Sequence, residues 1–265
     1  MLTNYHTHTF RCQHANGTVE DYVREAIANG FDILGMSDHV PYPHYEFGYR
    51  MPMAEIWDYI YEVEDAQKKY GKQLQILLGF ESEYLCAKRS YYEELLEEYQ
   101  VEYLVLGQHF FDYGGSFKSS YALKDSADCV RYAKSVAEGL STGYFSLLAH
   151  PDIVGVNCLS WDKNMDEMTD IILEAAMRYD VPLEVNANGI RRGTIHDKEL
   201  GRHYMYPHFK FWEKAAAAKV PTVISSDCHM PSLLYDADVL RTRQFAEEMG
   251  INIIEKITIK QKSQS

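Results

Sequence analysis

The sequence predicts an α/β fold of seven successive βα units, with a closed or distorted barrel favoured over an open doubly wound sheet. Three observations carry this. Short apolar runs alternate regularly with longer segments of helical texture. The runs are continuous rather than alternating, as strands buried on both faces of a parallel sheet require. No G-x-G-x-x-G or G-x-x-x-x-G-K-[ST] is present to support a nucleotide-binding open sheet.

The elements follow in order. An opening strand is expected at residues 2–6. Further strands are expected at 31–36, 74–80, 103–107, 145–149, 182–186 and 221–225. Helices are expected at 18–29, 54–70, 90–99, 125–140, 165–179, 207–219 and 241–249. The first helix shows its ends, since Thr18-Val19-Glu20-Asp21 offers an N-cap and Gly30 a stop. A regular βα alternation implies parallel strands joined by helical crossovers. After Ile251 the chain turns apolar and then basic (Lys256 to Lys262), which reads as a last short strand and a frayed end. No Pro/Gly/Ser-rich linker interrupts the chain, so one domain over residues 1–265 is expected.

Composition narrows the function. The 265 residues are 46% hydrophobic and 25% charged, which excludes disorder as the main state. Lys and Arg total 26 against 39 Asp and Glu, a net charge of −13. That argues against nucleic acid or an acidic membrane as partner, but not against a small anion held in a locally cationic pocket. The five cysteines are widely spaced without C-x-x-C, as in a chain of reduced thiols. With a polar N-terminus and no apolar run near the ~20 residues of a membrane span, a cytoplasmic protein is expected. The oligomeric state is not legible.

The chemistry lies at the strand ends. The expected strands run into His6-Thr7-His8, Ser37-Asp38-His39, Glu81-Ser82-Glu83, Gln108-His109, His150-Pro151-Asp152, Glu184 to Gly189, and Asp227-Cys228-His229, with His14 soon after the first. In α/β barrels the C-terminal rim of the strands is where active sites are built. Any one of these residues alone is an ordinary rim histidine or helix cap. Seven of the eleven histidines fall at this single rim, and residues two apart on a strand share a face. His6, His8, His14, His39, His109, His150, His229, Glu81 and Asp227 are therefore candidate metal ligands. Nine ligands exceed what one or two tetrahedral ions use, so two or three divalent cations are expected, with Zn, Mn or Fe suited to imidazole. Clustered ions of this kind point to hydrolysis, of phosphoesters first.

Together these motifs resemble the PHP (polymerase and histidinol phosphatase) superfamily, whose members are distorted (β/α)7 barrels with a trinuclear metal centre. The resemblance spans nearly the whole chain. His6-Thr7-His8-Thr9 with Cys12 and His14, Asp38-His39-Val40-Pro41, and Asn186 to Arg192 resemble the monofunctional histidinol-phosphate phosphatases. This implies one ion on His6, His8, Glu81 and Asp227, a second on Glu81, His109 and His150, and a third on His14, His39 and His229. It implies phosphate contact by Arg191, with Arg192 as the other candidate.

The implied reaction is hydrolysis of L-histidinol phosphate in histidine biosynthesis, a metal-bridging hydroxide attacking phosphorus while Glu81, His150, Asp227 and Arg191 serve catalysis. No G-x-S-x-G or C-x5-R motif offers a protein nucleophile. His44, shortly after His39, is a candidate substrate contact or proton donor. The competing reading is another PHP phosphoesterase, acting on phosphotyrosine proteins or on small nucleotide or sugar phosphates.

Overall fold

A computed structural model describes residues 1–44 and 47–260. Seven parallel strands form the core: β1 (Thr3–Asn4), β2 (Ile33–Met36), β3 (Gln75–Ser82), β4 (Tyr103–Leu106), β7 (Phe145–Leu148), β8 (Leu183–Asn186) and β11 (Thr222–Ser225). They pair in that order. Between β1 and β11 the sheet nearly closes: Thr7 and Cys228 form a parallel bridge, and Ser226 N donates to Asn4 Oδ1 at 2.6 Å. The result is the expected (β/α)7 barrel.

Helices α1 (Val19–Ala28), α2 (Ile56–Tyr70), α3 (Arg89–Glu97), α4 (Ser126–Ser141), α5 (Lys163–Arg178), α7 (Phe209–Ala217) and α8 (Ala237–Glu248) surround it. Caps set several of their starts. Thr18 and Asp21 form a reciprocal capping box on α1, and Asp125, Asp162 and Asp236 accept the first free N–H groups of α4, α5 and α8.

Two apolar layers result. The larger lies between strands and helices. The smaller fills the barrel with Tyr5, Ile33, Leu77, Tyr103, Val105, Leu147 and Val223. Tyr103 spans this interior and donates to Tyr5 O at 2.9 Å. It fits because Gly35 stands opposite, where a Cβ would lie 2.1 Å from the Tyr103 hydroxyl.

Two expectations need correction. The C-terminal tail is not frayed as far as Lys260, and its strand is a single bridge between Thr222 and Ile253. It runs across the barrel floor instead. Thr3 Oγ1 donates to Glu255 O at 2.7 Å, Lys260 N donates to Ser146 Oγ at 2.9 Å, and Ile257 is buried in the interior cluster. Burial of the isoleucines holds the segment without a ladder. Residues 261–265 lie outside the described residues. Second, two hairpins were not anticipated: β5 (Phe110–Asp112) with β6 (Phe117–Ser119), and β9 (Thr194–Asp197) with β10 (Gly201–Tyr204). A one-turn helix α6 (Ala187–Arg191) precedes the second. Among the described residues no helix is long and apolar enough to cross a membrane.

Candidate metal centre and active site

The C-terminal ends of the strands deliver their polar residues to one place. Beyond β1 come His6 and His8, then a tight turn at Phe10–Cys12 that swings His14 back over them. His39 follows β2 and bridges to Glu81 at the end of β3. His109, His150 and the Asp227–His229 pair follow β4, β7 and β11. His150 and Asp227 adopt φ values of +30° and +44°, in the region L-residues rarely enter. Such backbone persists only when its surroundings enforce it, and it concentrates at functional sites.

Glu81 lies at the centre and meets five imidazoles. Its Oε1 is 2.9 Å from His150 Nε2 and 3.4 Å from His109 Nε2. Its Oε2 is 2.9 Å from His39 Nδ1, 3.3 Å from His6 Nε2 and 3.5 Å from His8 Nε2. Asp227 Oδ1 adds contacts of 3.2 Å to His8 and 3.7 Å to His6. At the outer edge, the Nε2 atoms of His14 and His229 face each other at 2.9 Å. The crowding around Glu81 depends on Gly107, where a Cβ would lie 2.0 Å from Glu81 Oε1.

These residues suit divalent cations. His6 Nε2, both ring nitrogens of His8, Glu81 Oε2 and His150 Nδ1 are buried without a hydrogen-bond partner, and buried polar atoms are otherwise nearly always paired. Ligand atoms close enough to share an ion occur in sets: His6, His8 and Glu81; His14, His39 and His229; His39, Glu81 and His109; His6, His150 and Asp227. The outer set brings together the same three histidines that the family resemblance groups. His150 joins His6 and Asp227 as well as Glu81, so the expected partition between the inner ions is less sharp in space. Cys12 forms a further set with His8 and His229, which its spacing did not reveal. The clustered imidazoles and carboxylates thus form a divalent-metal site.

Charge within the cluster is balanced internally. Burial alone would raise the Glu81 carboxyl, but His109, His6 and His39 hold it well below the usual range. Asp227 is likewise held down against burial by His6 and His8. Burial also opposes the charged form of His8, yet the neighbouring carboxylates of Asp227 and Asp38 lift it to about 9. The outer ring behaves oppositely: burial pushes His39 well below its usual value and His229 down to about 3. Ionised carboxylates therefore sit beside neutral outer imidazoles, the protonation states that metal ligation requires.

The comparisons with known proteins agree with this geometry. A family model described as "PHP domain" matches residues 4–188. The chain belongs to the PHP domain family. A Deinococcus radiodurans relative named "Probable histidinol-phosphatase" is 25% identical over 242 residues, covering 87% of each chain. The histidinol-phosphatase of Bacillus subtilis is 25% identical over 257 residues, 84% of this chain and 92% of that one. A histidinol phosphate phosphatase from Lactococcus lactis, in complex with zinc, L-histidinol and phosphate, superposes with a TM-score of 0.70 at 15% identity. That superposition covers 97% of this chain and 98% of the other, and it shows a shared fold.

The PHP match ends before Arg191, Asp227 and His229, yet the structure carries all three to the same rim. There the two arginines separate. Arg191 is spent on its neighbours: it donates to Leu233 O at 2.7 Å, to Ser226 O and, through two nitrogens, to the Asp236 carboxylate. It ties α6 to the segment bearing Asp227. Arg192 instead lines the cleft over the cluster, a space of about 240 Å³ shared with His14, His39, Glu81, His109, Tyr121, Asn188, Asp227, His229 and Leu233. Its Nε donates to Tyr206 Oη at 3.0 Å. Of the two arginines expected at the phosphate, Arg192 thus lines the cleft and Arg191 does not. His44 is exposed and is not among the residues that line the cleft.

Other residues were missed as parts of the site. Glu184, fully buried in β8, is 2.8 Å from His6 Nδ1 and accepts from His150 N at 3.0 Å. Asn186 bridges Glu184 and Asp227 at 2.8 and 3.0 Å. A carboxylate behind a ligand histidine fixes its ring and tautomer. A strand acid before Asn186-Ala187-Asn188 was the available signal. Asp152, beside His150, accepts instead from His208 N and Trp212 Nε1, so it anchors α7.

Proposed function

We propose that the protein is a metal-dependent phosphomonoester hydrolase whose substrate is L-histidinol phosphate, cleaved with water to L-histidinol and phosphate. One observation carries the reading: of nine clustered side chains able to bind metal, His14, His39, Glu81, His109, Asp227 and His229 line a small cleft whose only lysine or arginine, among the described residues, is Arg192. The names of the PHP relatives support the substrate, as does the zinc, L-histidinol and phosphate bound by the Lactococcus lactis protein.

In this reading His6, His8, His14, His39, Glu81, His109, His150, Asp227 and His229 hold two or three divalent ions, with Zn, Mn or Fe matching the imidazole-rich donor set. When bound, such ions acidify water and offset phosphoryl charge. The chain itself supplies positioning. Arg192 binds phosphoryl oxygens, and its tether to Tyr206 limits the rotamers it must give up. Asn186 and Asn188 donate to Asp227 Oδ2 at 3.0 and 3.3 Å, which leaves Oδ1 turned toward His6 and His8. Glu184 secures His6, while Arg191 secures the segment bearing Asp227 and His229. Among the described residues no serine, threonine or cysteine lines the cleft. This supports transfer of the phosphoryl group directly to water rather than through a seryl or cysteinyl intermediate.

A substrate panel tests this. Metal-loaded protein should release phosphate from L-histidinol phosphate in clear preference to p-nitrophenyl phosphate, a phosphotyrosine peptide and nucleoside monophosphates. Equal rates on L-histidinol phosphate and p-nitrophenyl phosphate would defeat the assignment.

A further inference from the structure

Behind His109, on the side away from Glu81, lies a second buried carboxylate that the scheme above leaves without a task. His109 Nε2 is 3.4 Å from Glu81 Oε1, while its other nitrogen, Nδ1, is 3.5 Å from Glu83 Oε1. Glu83 is 1% exposed. Arg50, 2% exposed, reaches it with two nitrogens: Nη2 lies 3.0 Å from Oε1 and Nη1 3.3 Å from Oε2. Tyr42 Oη donates to the same carboxylate at 3.3 Å.

The arginine is itself fixed. Nη1 donates to Val40 O at 3.1 Å, Gln13 Nε2 donates to Arg50 O at 2.9 Å, and the guanidinium lies 5.2 Å from the ring centres of both Tyr42 and Phe47. A buried ion pair is a poor source of stability, because desolvation cancels most of its attraction and an apolar pair often serves as well. The particular consequence of this pair is its contact with His109.

We infer that Glu83 and Arg50 are positioning residues for the metal centre. Glu83 accepts the Nδ1 proton of His109, which leaves Nε2 bare toward the ligand cluster, and Arg50 fixes the carboxylate that does so. Carboxylate–histidine pairs behind metal ligands act in this way, and their loss weakens metal binding about 10–100-fold. The chain segment between β2 and α2 is thereby joined to the cluster. Its Tyr49 ring stands edge-on to His14, with centroids 5.5 Å apart. The inference rests on the metal-centre reading and adds residues that ligate nothing.

The test needs no substrate. Metal-free, full-length protein is titrated with zinc against a chromogenic chelator, and circular dichroism monitors folding. Glu83→Gln should weaken at least one zinc equivalent about 10–100-fold, and Glu83→Asp, which keeps a carboxylate, should recover part of the loss. Arg50→Lys keeps the charge without the two-pronged contact and should shift the same equivalent in the same direction. It serves as the deciding variant if Glu83→Gln does not fold. Variants that lose thermal stability but bind zinc as the wild type does would reduce the pair to packing and overturn the inference. Wild-type protein that binds no zinc would instead overturn the metal-centre reading beneath it.

Discussion

Glu81 and its neighbours show how much one residue's surroundings decide. The carboxylate is useful because five imidazoles reach it and because Gly107 leaves it room. Sequence position brings these residues forward as candidate ligands, since H-x-H and D-x-H at strand ends are local patterns. It did not separate Arg191 from Arg192, because adjacent residues at the end of a single helical turn diverge by an angle that only the fold sets. Arg192→Gln should raise the KM for a phosphomonoester about 10–100-fold, the worth of one charged hydrogen bond, with metals per chain unchanged. Arg191→Gln should lose metal instead. Steady-state kinetics with metal analysis distinguishes them, and the opposite pattern would restore Arg191 to the phosphate. Protonation gives a further expectation. His8 is raised to about 9 in the folded chain, so its proton stabilises the metal-free fold fully below the ordinary value near 6.5 and is lost as pH rises through about 9. Metal must displace that proton. Its affinity should therefore climb between about pH 6.5 and 9, by up to about tenfold per unit for each proton released. Titration calorimetry across that range, showing a flat profile, would contradict the protonated His8.

At the scale of elements, the seven strands are legible as short unbroken apolar runs and the seven main helices as the longer mixed polar and apolar segments between them. The hairpins are not. β5 and β6 are three residues each around Gly114-Gly115, too short for any period to show, yet this insertion leads to Tyr121 at the cleft. The tail differs from its expected course for a related reason. Isoleucines at 254, 257 and 259 suggest a strand, but their burial comes from the open floor of the barrel, a feature of the closed sheet and not of the segment. Ile257→Ala should therefore cost about 2–4 kcal/mol, as for an interior aliphatic side chain. Chemical denaturation would measure it, and a loss below about 0.5 kcal/mol would return the tail to a loosely held end.

For the whole molecule, the tension between a net charge of −13 and a phosphate substrate resolves by location. Glu81 and Asp227 face histidines at a single rim, Arg192 lies beside them, and divalent ions there would make the pocket cationic within an acidic shell. A small phosphomonoester carrying an amine would meet both signs there. Composition states the total charge, and the fold of the barrel decides where the charges lie. In the proposed reading these nine residues act as one metal centre. The most direct measurement is the number of divalent ions retained per folded chain, by plasma mass spectrometry after loading with Zn or Mn and desalting. We expect two to three, with His150→Ala folded, depleted in metal and inactive. Fewer than two ions in the wild type, or an active His150→Ala protein, would contradict the account.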